Sequence, residues 1–208
     1  MAKIRGGIDS KISGMIGPVV YVNINGGSYV RKAPKTRAKD SWRPKQVESR
    51  KRFSEFCAFW SGQIHGTLKE VWGLAAERMN GFNLFLKTNL SAFGTDGKIA
   101  DLARFHFTTG KLPLPYHLNA VRLEEDPGKV KVTWQDDLNI GLAGSKDELM
   151  MIIAHEGKFT RPTGTGFLRK QGEVVIQLPD GIGVVEGIYL YFASKERELY
   201  SQDLYFGI

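Results

Sequence analysis

Residues 174–193 read VVIQLPDGIGVVEGIYLYFA, two β-type runs separated by a turn signal at Pro179-Asp180-Gly181. Short runs rich in Val, Ile and Tyr and bounded by Pro, Asp or Gly are typical of strands. The same pattern extends over residues 98–208, with candidate strands at 104–108, 120–123, 130–134, 149–155, 166–168, 174–178, 188–193 and 203–206. This spacing predicts an antiparallel β-sandwich of the immunoglobulin or fibronectin type III kind, with Trp134 in its core.

The preceding segment, residues 41–97, has a helical period instead. Apolar side chains recur at three- and four-residue steps along its first predicted helix, at Phe53, Phe56, Cys57, Trp60 and Ile64. Glycines predict a break near 61–66, a second helix near 67–79 and a third helix that follows Asn80-Gly81. The segment has more aromatic residues than its length needs for self-burial, which predicts core packing or a subunit interface. These residues are Phe53, Phe56, Phe59, Trp60, Trp72, Phe82, Phe85 and Phe93.

The first segment, residues 1–40, is rich in glycine and serine over residues 6–17 and then contains a hairpin signal. Two β-type runs at 19–24 and 28–31 flank Asn25-Gly26, a pair that tolerates the positive φ of tight hairpin turns. A two-stranded hairpin is only marginally stable alone, so it must lie against the rest of the chain or against another copy. The whole pattern predicts an α+β fold in three segments, 1–40, 41–97 and 98–208.

Charge is distributed unevenly along the 208 residues, whose formal net charge is +7. Residues 1–55 contain 13 Lys or Arg against 4 Asp or Glu, whereas residues 56–208 contain 16 against 18. This asymmetry indicates either an arm that meets an anionic partner or a solvated linker whose charges repel one another. The candidate polyanion contacts are Arg31, Lys32, Lys35, Arg37, Lys39, Arg43, Lys45, Arg50 and Lys51. Tyr29 and Trp42 could stack on nucleic-acid bases beside them.

Residues with catalytic or ligand chemistry form no recognisable motif. The single cysteine, Cys57, excludes intramolecular disulfides, and its helical apolar setting predicts a small core residue. The four histidines are scattered, and no Gly-x-Ser-x-Gly elbow is present. We therefore predict no catalytic residues, no metal site and no cofactor. The basic N-terminus has no apolar stretch behind it, which disfavours a signal peptide, and no apolar run has the length of a membrane span.

Several short motifs are spread along the chain: Gly14-x-x-Gly17-x-Val19-Val20, Tyr29-x-Arg31-x-x-Pro34, Gln46-x-x-x-Arg50-x-x-Phe53, Phe82-Asn83, Asn89, Gly110-Lys111-Leu112-Pro113 and Trp134-Gln135-Asp136. These motifs are similar to those of an uncharacterised bacterial domain family of unknown function. Together they span nearly the whole chain. The resemblance implies the layout of hairpin, helix and sandwich-like tail, and it implies no activity or cofactor. The chain departs from the family at Ile24-Asn25-Gly26 and at Lys45.

These features predict a non-enzymatic structural protein. Extended arms and hairpins can add strands to the sheet edge of a neighbour, so we expect homo-oligomerisation or docking into a larger, phage-related or surface particle. The expected partners are further copies of the chain or other subunits, and the expected contacts are Val19, Tyr21, Tyr29 and Arg31. The expected location is the cytoplasm or the particle itself. The alternative is a nucleic-acid-binding protein that uses residues 31–52.

Overall fold

The computed structural model describes residues 2–4, 13–24, 27–35, 42–135 and 141–208. The chain forms two compact units, Met1–Pro44 and Lys45–Ile208. The fold is mixed α+β, as predicted, with three α-helices and several antiparallel sheets in the described residues. The predicted helical and sandwich segments, which the sequence divides near residue 97, belong to the same compact unit.

The first unit is a four-stranded antiparallel sheet. Its strands are β1 (Ala2–Ile4), β2 (Gly14–Ile16), β3 (Val19–Ile24) and β4 (Gly27–Lys32), in the spatial order β1-β4-β3-β2. The predicted hairpin is formed by β3 and β4, which pair from Val19 opposite Lys32 to Ile24 opposite Gly27. The predicted turn residues, Asn25 and Gly26, lie outside the described residues. A strand added on each side enlarges the hairpin to a sheet.

The second unit opens with three helices, α1 (Pro44–Gly62), α2 (Gly66–Ala75) and α3 (Gly81–Asn89). The break predicted near 61–66 lies between α1 and α2. The Asn80 side chain caps α3 by accepting a hydrogen bond from the Asn83 N–H at 2.8 Å. The prediction that Cys57 is a core residue is wrong, because Cys57 is half-buried. Phe53, predicted in the core or at a subunit interface, is exposed and does not belong to the core, because no residue of α1 before Phe56 is buried.

Eight strands follow the helices and form two antiparallel sheets. They are β5 (Tyr116–Arg122), β6 (Lys129–Gln135), β7 (Glu148–His155), β8 (Lys158–Phe159), β9 (Thr163–Leu168), β10 (Glu173–Gln177), β11 (Val185–Ala193) and β12 (Leu204–Gly207). The three-stranded sheet has the order β10-β6-β5. The five-stranded sheet has the order β12-β11-β7-β8, and β9 also pairs with β7.

The strand predicted at 104–108 is wrong. A 3-10 turn occupies Leu102–Arg104, and residues 105–108 belong to no strand. Phe105 and Phe107 are buried on either side of the half-buried His106, and this alternation imitates the period of a strand. The backbone hydrogen bonds go elsewhere, because the N–H groups of His106 and Phe107 donate to the side chains of Asn89 and Asp203.

The five-stranded sheet is covered on both faces. Along β7, Leu149, Met151 and Ile153 pack into one apolar cluster with the three-stranded sheet. Met150, Ile152 and Ala154 pack into a second cluster with the helices. Trp134 is buried in the first cluster, as predicted. Burial on both faces explains why β7 and β11 read as nearly continuous apolar runs.

The helical aromatic residues find their partners within the second unit. Phe59 and Phe85 pack against Phe105, with ring centroids 5.5 and 5.9 Å apart. Phe107 then packs against Tyr189 of β11 at 4.9 Å. Of the eight aromatic residues that the sequence singles out in this segment, all except Phe53 pack into the cluster that covers this face of the five-stranded sheet.

Candidate assembly interface

The four candidate oligomer contacts lie on two faces of the N-terminal sheet. Directly opposed residues of antiparallel strands share a face, and neighbours along one strand alternate between faces. The opposed pairs are Val19–Lys32, Val20–Arg31, Tyr21–Val30 and Val22–Tyr29. Val19 and Tyr21 therefore share one face, and Tyr29 and Arg31 share the other. The structure brings each pair together and separates the two pairs.

The N-terminal sheet has apolar residues on both faces and no buried side chain in the part whose burial is described. Val19, Tyr21, Val22 and Tyr29 are all half-buried, and none of the sheet's side chains whose burial is described is buried. A three- or four-stranded sheet normally needs one hydrophobic face packed against something for independent stability. The described burial leaves apolar surface on both sides of this sheet accessible to a partner.

The edge strand β2 is the most exposed apolar part of this sheet. Met15 is 69% exposed and Ile16 is 57% exposed. Met15 pairs with Val20 and Ile16 pairs with Val19, so these two neighbours belong to different faces. An edge strand also presents unpaired backbone N–H and C=O groups, to which a strand of another chain can add. A partner chain can therefore pack against the apolar side chains of the faces and form main-chain hydrogen bonds with the edge strand.

The candidate polyanion contacts are exposed wherever the structure describes them. Arg31 and Lys32 end β4, and Lys35 follows them. Arg43 precedes α1, whose first turns carry Lys45, Arg50 and Lys51. At 3.6 residues per turn, Lys45, Arg50 and Lys51 lie on different sides of the helix rather than on one stripe. Arg37 and Lys39 lie outside the described residues.

A buried polar network, which the sequence did not indicate, ties together distant parts of the second unit. The Asp203 carboxylate is buried and accepts hydrogen bonds from the Phe107 N–H at 2.7 Å and from His106 Nδ1 at 2.8 Å. The buried Asn89 amide accepts from the His106 N–H and donates to the His106 carbonyl, each at 2.8 Å. The network therefore connects α3, the segment after the 3-10 turn and the residue before β12.

The His106–Asp203 pair is placed for holding the fold. The hydrogen bond to the Asp203 carboxylate raises the pKa of His106 above its ordinary value, against the opposing effect of burial. Burial raises the pKa of Asp203. With Nδ1 donating to Asp203, His106 Nε2 lies 3.1 Å from the Gln202 amide nitrogen. Among the described residues, the His106 ring has hydrogen-bond partners in Asp203 and Gln202 and none in a Ser, Thr or Cys side chain.

A second buried link joins the two sheets of this unit. Arg169, with only 1% of its side chain exposed, lies 3.6 Å from the Asp147 carboxylate and donates to the Pro113 carbonyl at 2.8 Å. Its guanidinium stacks over the Phe192 ring at 5.2 Å. The Trp134 indole donates to the Arg169 carbonyl at 2.7 Å. These partners satisfy a buried cation, which indicates a structural role.

No sequence signal pointed to either network. His106 and Asp203 are 97 residues apart, and Asn89 is 17 residues from His106. Neither separation corresponds to a helical or strand period, so only the path of the folded chain brings them together.

Comparison of the chain with protein-family models, curated proteins and solved structures finds no match. Among the described residues, no three or more His, Cys, Asp or Glu side chains are grouped to hold a metal ion. No helix in the same ranges combines the length and the apolar character needed to cross a lipid bilayer.

Proposed function

We propose that this chain is a non-enzymatic structural subunit that assembles with further copies of itself through its N-terminal sheet. The observation that carries the proposal is a sheet with Val and Tyr residues on both faces and no buried side chain in its described part. Apolar area of this kind becomes stable when a second surface removes it from water. The assembly would work in the cytoplasm or as part of a larger particle.

The edges of the sheet support a second copy as the occupant. In the described part of the unit, β1 and β2 are the two edge strands, and each is three residues long. Strand addition at either edge supplies main-chain hydrogen bonds, and the apolar side chains then continue across the contact. One chain can use both edges at once, which suits rings or extended assemblies.

The charge distribution supports contact between unlike surfaces of two copies. Residues 1–55 carry an excess of nine positive charges, whereas residues 56–208 carry an excess of two negative charges. The basic N-terminal part of one copy therefore attracts the acidic remainder of another more than it attracts its own counterpart. A contact between unlike surfaces is heterologous, and its repetition produces a closed ring or an open filament.

Sedimentation velocity over a wide range of protein concentration tests the proposal, with nuclease-treated material throughout. Met15→Asp and Ile16→Asp form a matched pair, because these neighbours are exposed and belong to opposite faces of one edge strand. Val121→Asp is the control, since Val121 is 55% exposed on β5 of the second unit. We expect the unaltered chain and the control to oligomerise, and at least one β2 variant to dissociate.

Two results would overturn the assembly proposal. One is a single monomeric species at every concentration. The other is an oligomer that survives both β2 substitutions, which would assign the contact to a different surface. A variant that dissociates while its circular dichroism spectrum stays unchanged identifies the face that is used.

Nucleic-acid binding is the second candidate function. The exposure of Arg31, Lys32 and Lys35, followed by Lys45 and Arg50 on α1, favours it, because exposed cations can release counterions from a polyanion. The same sedimentation measurement without nuclease separates the two proposals. A particle that is large before nuclease treatment and monomeric after it would favour nucleic-acid binding over self-assembly.

We further propose that the two sheets of the second unit form a sandwich of the immunoglobulin or fibronectin type III kind. The apolar cluster shared by Val132, Trp134, Ile153 and Leu190 supports a sandwich, because it takes side chains from both sheets. The resemblance of the chain's motifs to those of a bacterial domain family of unknown function implies a sandwich-like tail and implies no activity.

A further inference from the structure

A groove of about 440 Å³ opens at one end of the two sheets of the second unit. It lies between residues 123–128, which connect β5 to β6, and residues 178–184, which connect β10 to β11. Its walls include Pro127, Leu178, Ile182 and Val184, and it also contains Arg122. Its volume falls within the range of small-molecule sites, which are mostly apolar with a few polar groups.

Arg122 occupies an inward-facing position of β5. Leu118 and Ala120 are buried in the cluster between the two sheets, and the alternation of the strand gives Arg122 the same direction. Its Nε is buried and has no hydrogen-bond partner among the residues that the structure describes. No residue in the described part of the chain forms an ion pair with its guanidinium. A buried donor without a partner is unfavourable, and a ligand that accepts from it removes the penalty.

A second buried nitrogen without a partner lies at the same end of the sheets. His155 ends β7 opposite Val185, which lines the groove. Its Nδ1 is buried and makes no hydrogen bond. The described residues contain three buried side-chain nitrogen or oxygen atoms of this kind, and two of them belong to this end of the unit. Arg122 lines the groove and His155 does not, so Arg122 is the group that a ligand in the groove can reach.

We propose that this groove binds the carboxylate of a small apolar ligand, with Arg122 as its anchor. A guanidinium matches the geometry of a carboxylate and holds it through two parallel hydrogen bonds. The apolar walls fit a hydrocarbon body. Asp180 also lines the groove and brings the formal charge of its lining to zero, so a doubly charged phosphate is disfavoured more than a ligand with a single negative charge. The site belongs to the second unit and is independent of the assembly proposal.

Titration of the full chain with octanoate, followed by backbone amide chemical shifts, tests the site. Octanol and octylammonium are the neutral and cationic probes of equal chain length, and inorganic phosphate is the probe without an apolar body. We expect octanoate to change the amide chemical shifts of residues in 122–128 and 178–185. We also expect it to bind on the order of tenfold more tightly than octanol. Arg122→Gln removes that preference, while Arg161→Gln, an exposed arginine outside the groove, leaves it unchanged.

Val184→Asp provides a variant that does not disturb the core, because Val184 is 72% exposed on the groove wall. We expect this substitution to weaken the binding of octanoate and to leave the binding of octylammonium unchanged or stronger. Equal binding of octanoate and octanol would overturn the proposal. So would octanoate shifts that are unchanged in both Arg122→Gln and Val184→Asp, or phosphate shifts at the same residues that exceed those of octanoate.

Discussion

Replacement of Asp203 by alanine would remove the acceptor on which the buried network of the second unit depends. The Asp203 carboxylate accepts hydrogen bonds from the Phe107 N–H at 2.7 Å and from His106 Nδ1 at 2.8 Å. Phe107 is itself buried, so its N–H would lose its partner without gaining water. His106 would lose the group that favours its charged form.

These two lost interactions set the expected decrease in the free energy of unfolding. A buried N–H left without a partner costs about 1–3 kcal/mol, and a hydrogen bond to a charged group is worth about 1.5–3 kcal/mol. We expect Asp203→Ala to lower the free energy of unfolding by about 3–5 kcal/mol, as for other buried pairs that lose one member. Asp203→Asn keeps an oxygen that accepts from Phe107, so its expected loss is smaller, about 1–2 kcal/mol.

The pH dependence of stability follows from the raised pKa of His106. The folded protein holds this proton more tightly than the unfolded chain, whose histidine titrates near 6.5. The stabilisation is therefore complete below about pH 6.5 and is lost as the pH rises through the higher folded pKa. Burial raises the pKa of Asp203 above 3.8, so the folded protein also holds this proton more tightly than the unfolded chain. Its effect on stability therefore has the same direction, and the free energy of unfolding decreases as the pH rises.

Urea unfolding at about pH 6 and about pH 8, followed by tryptophan fluorescence, measures both effects. Trp60, Trp72 and Trp134 report on the second unit. Asp126→Asn is the control, because it removes only the ion pair with the surface Lys129 and keeps an oxygen that accepts from the Gly128 N–H, so its effect on stability should be small. The reasoning is refuted if Asp203→Ala costs no more than the control, or if Asp203→Asn retains the full pH slope of the unaltered protein.

Two further pairs of substitutions test the packing by the same urea measurement. Phe56→Ala should cost about 3–5 kcal/mol because Phe56 is fully buried among aromatic rings, whereas Phe53→Ala on the same helix should cost less than about 1 kcal/mol. Similar losses for both would contradict the packing of α1. Gly110→Ala should lower the free energy of unfolding by about 2–3 kcal/mol, because the new Cβ would lie 2.1 Å from the Tyr200 carbonyl oxygen. Gly73→Ala on α2 should raise it by about 0.5–1 kcal/mol, because a Cβ at Gly73 has open space around it and alanine favours the helix. A fully stable Gly110→Ala protein would show that the close approach is absent.

Local sequence patterns predicted most of the secondary structure. Seven of the eight strands proposed for residues 98–208 overlap strands, and the break near 61–66 separates α1 from α2. These predictions succeed because a strand or helix repeats its apolar positions at a fixed short period. The same rule failed at 104–108, where two buried phenylalanines two residues apart had the right period but no neighbouring strand.

Surface and core assignments were less predictable than the elements themselves. Phe53 and Cys57 follow the helical apolar period, yet the first buried residue of α1 is Phe56. A period identifies which residues share a helix face, but it does not say how far along that face the neighbouring layer extends. In the same way, Tyr21 and Tyr29 were both expected at one contact, and the register of β3 and β4 puts them on opposite faces.

The sequence by itself determined the order of hairpin, helices and β-rich tail and the cationic character of the N-terminal quarter, because period, turn chemistry and charge are properties of neighbouring residues. The tertiary structure alone decided that the aromatic helices cover one face of a central sheet and that Asp203 meets His106 across 97 residues. It also decided that the buried Nε of Arg122, at the end of β5, has no hydrogen-bond partner among the described residues. Each of these depends on where distant segments cross. That is fixed by the packing of whole layers, which no local period encodes.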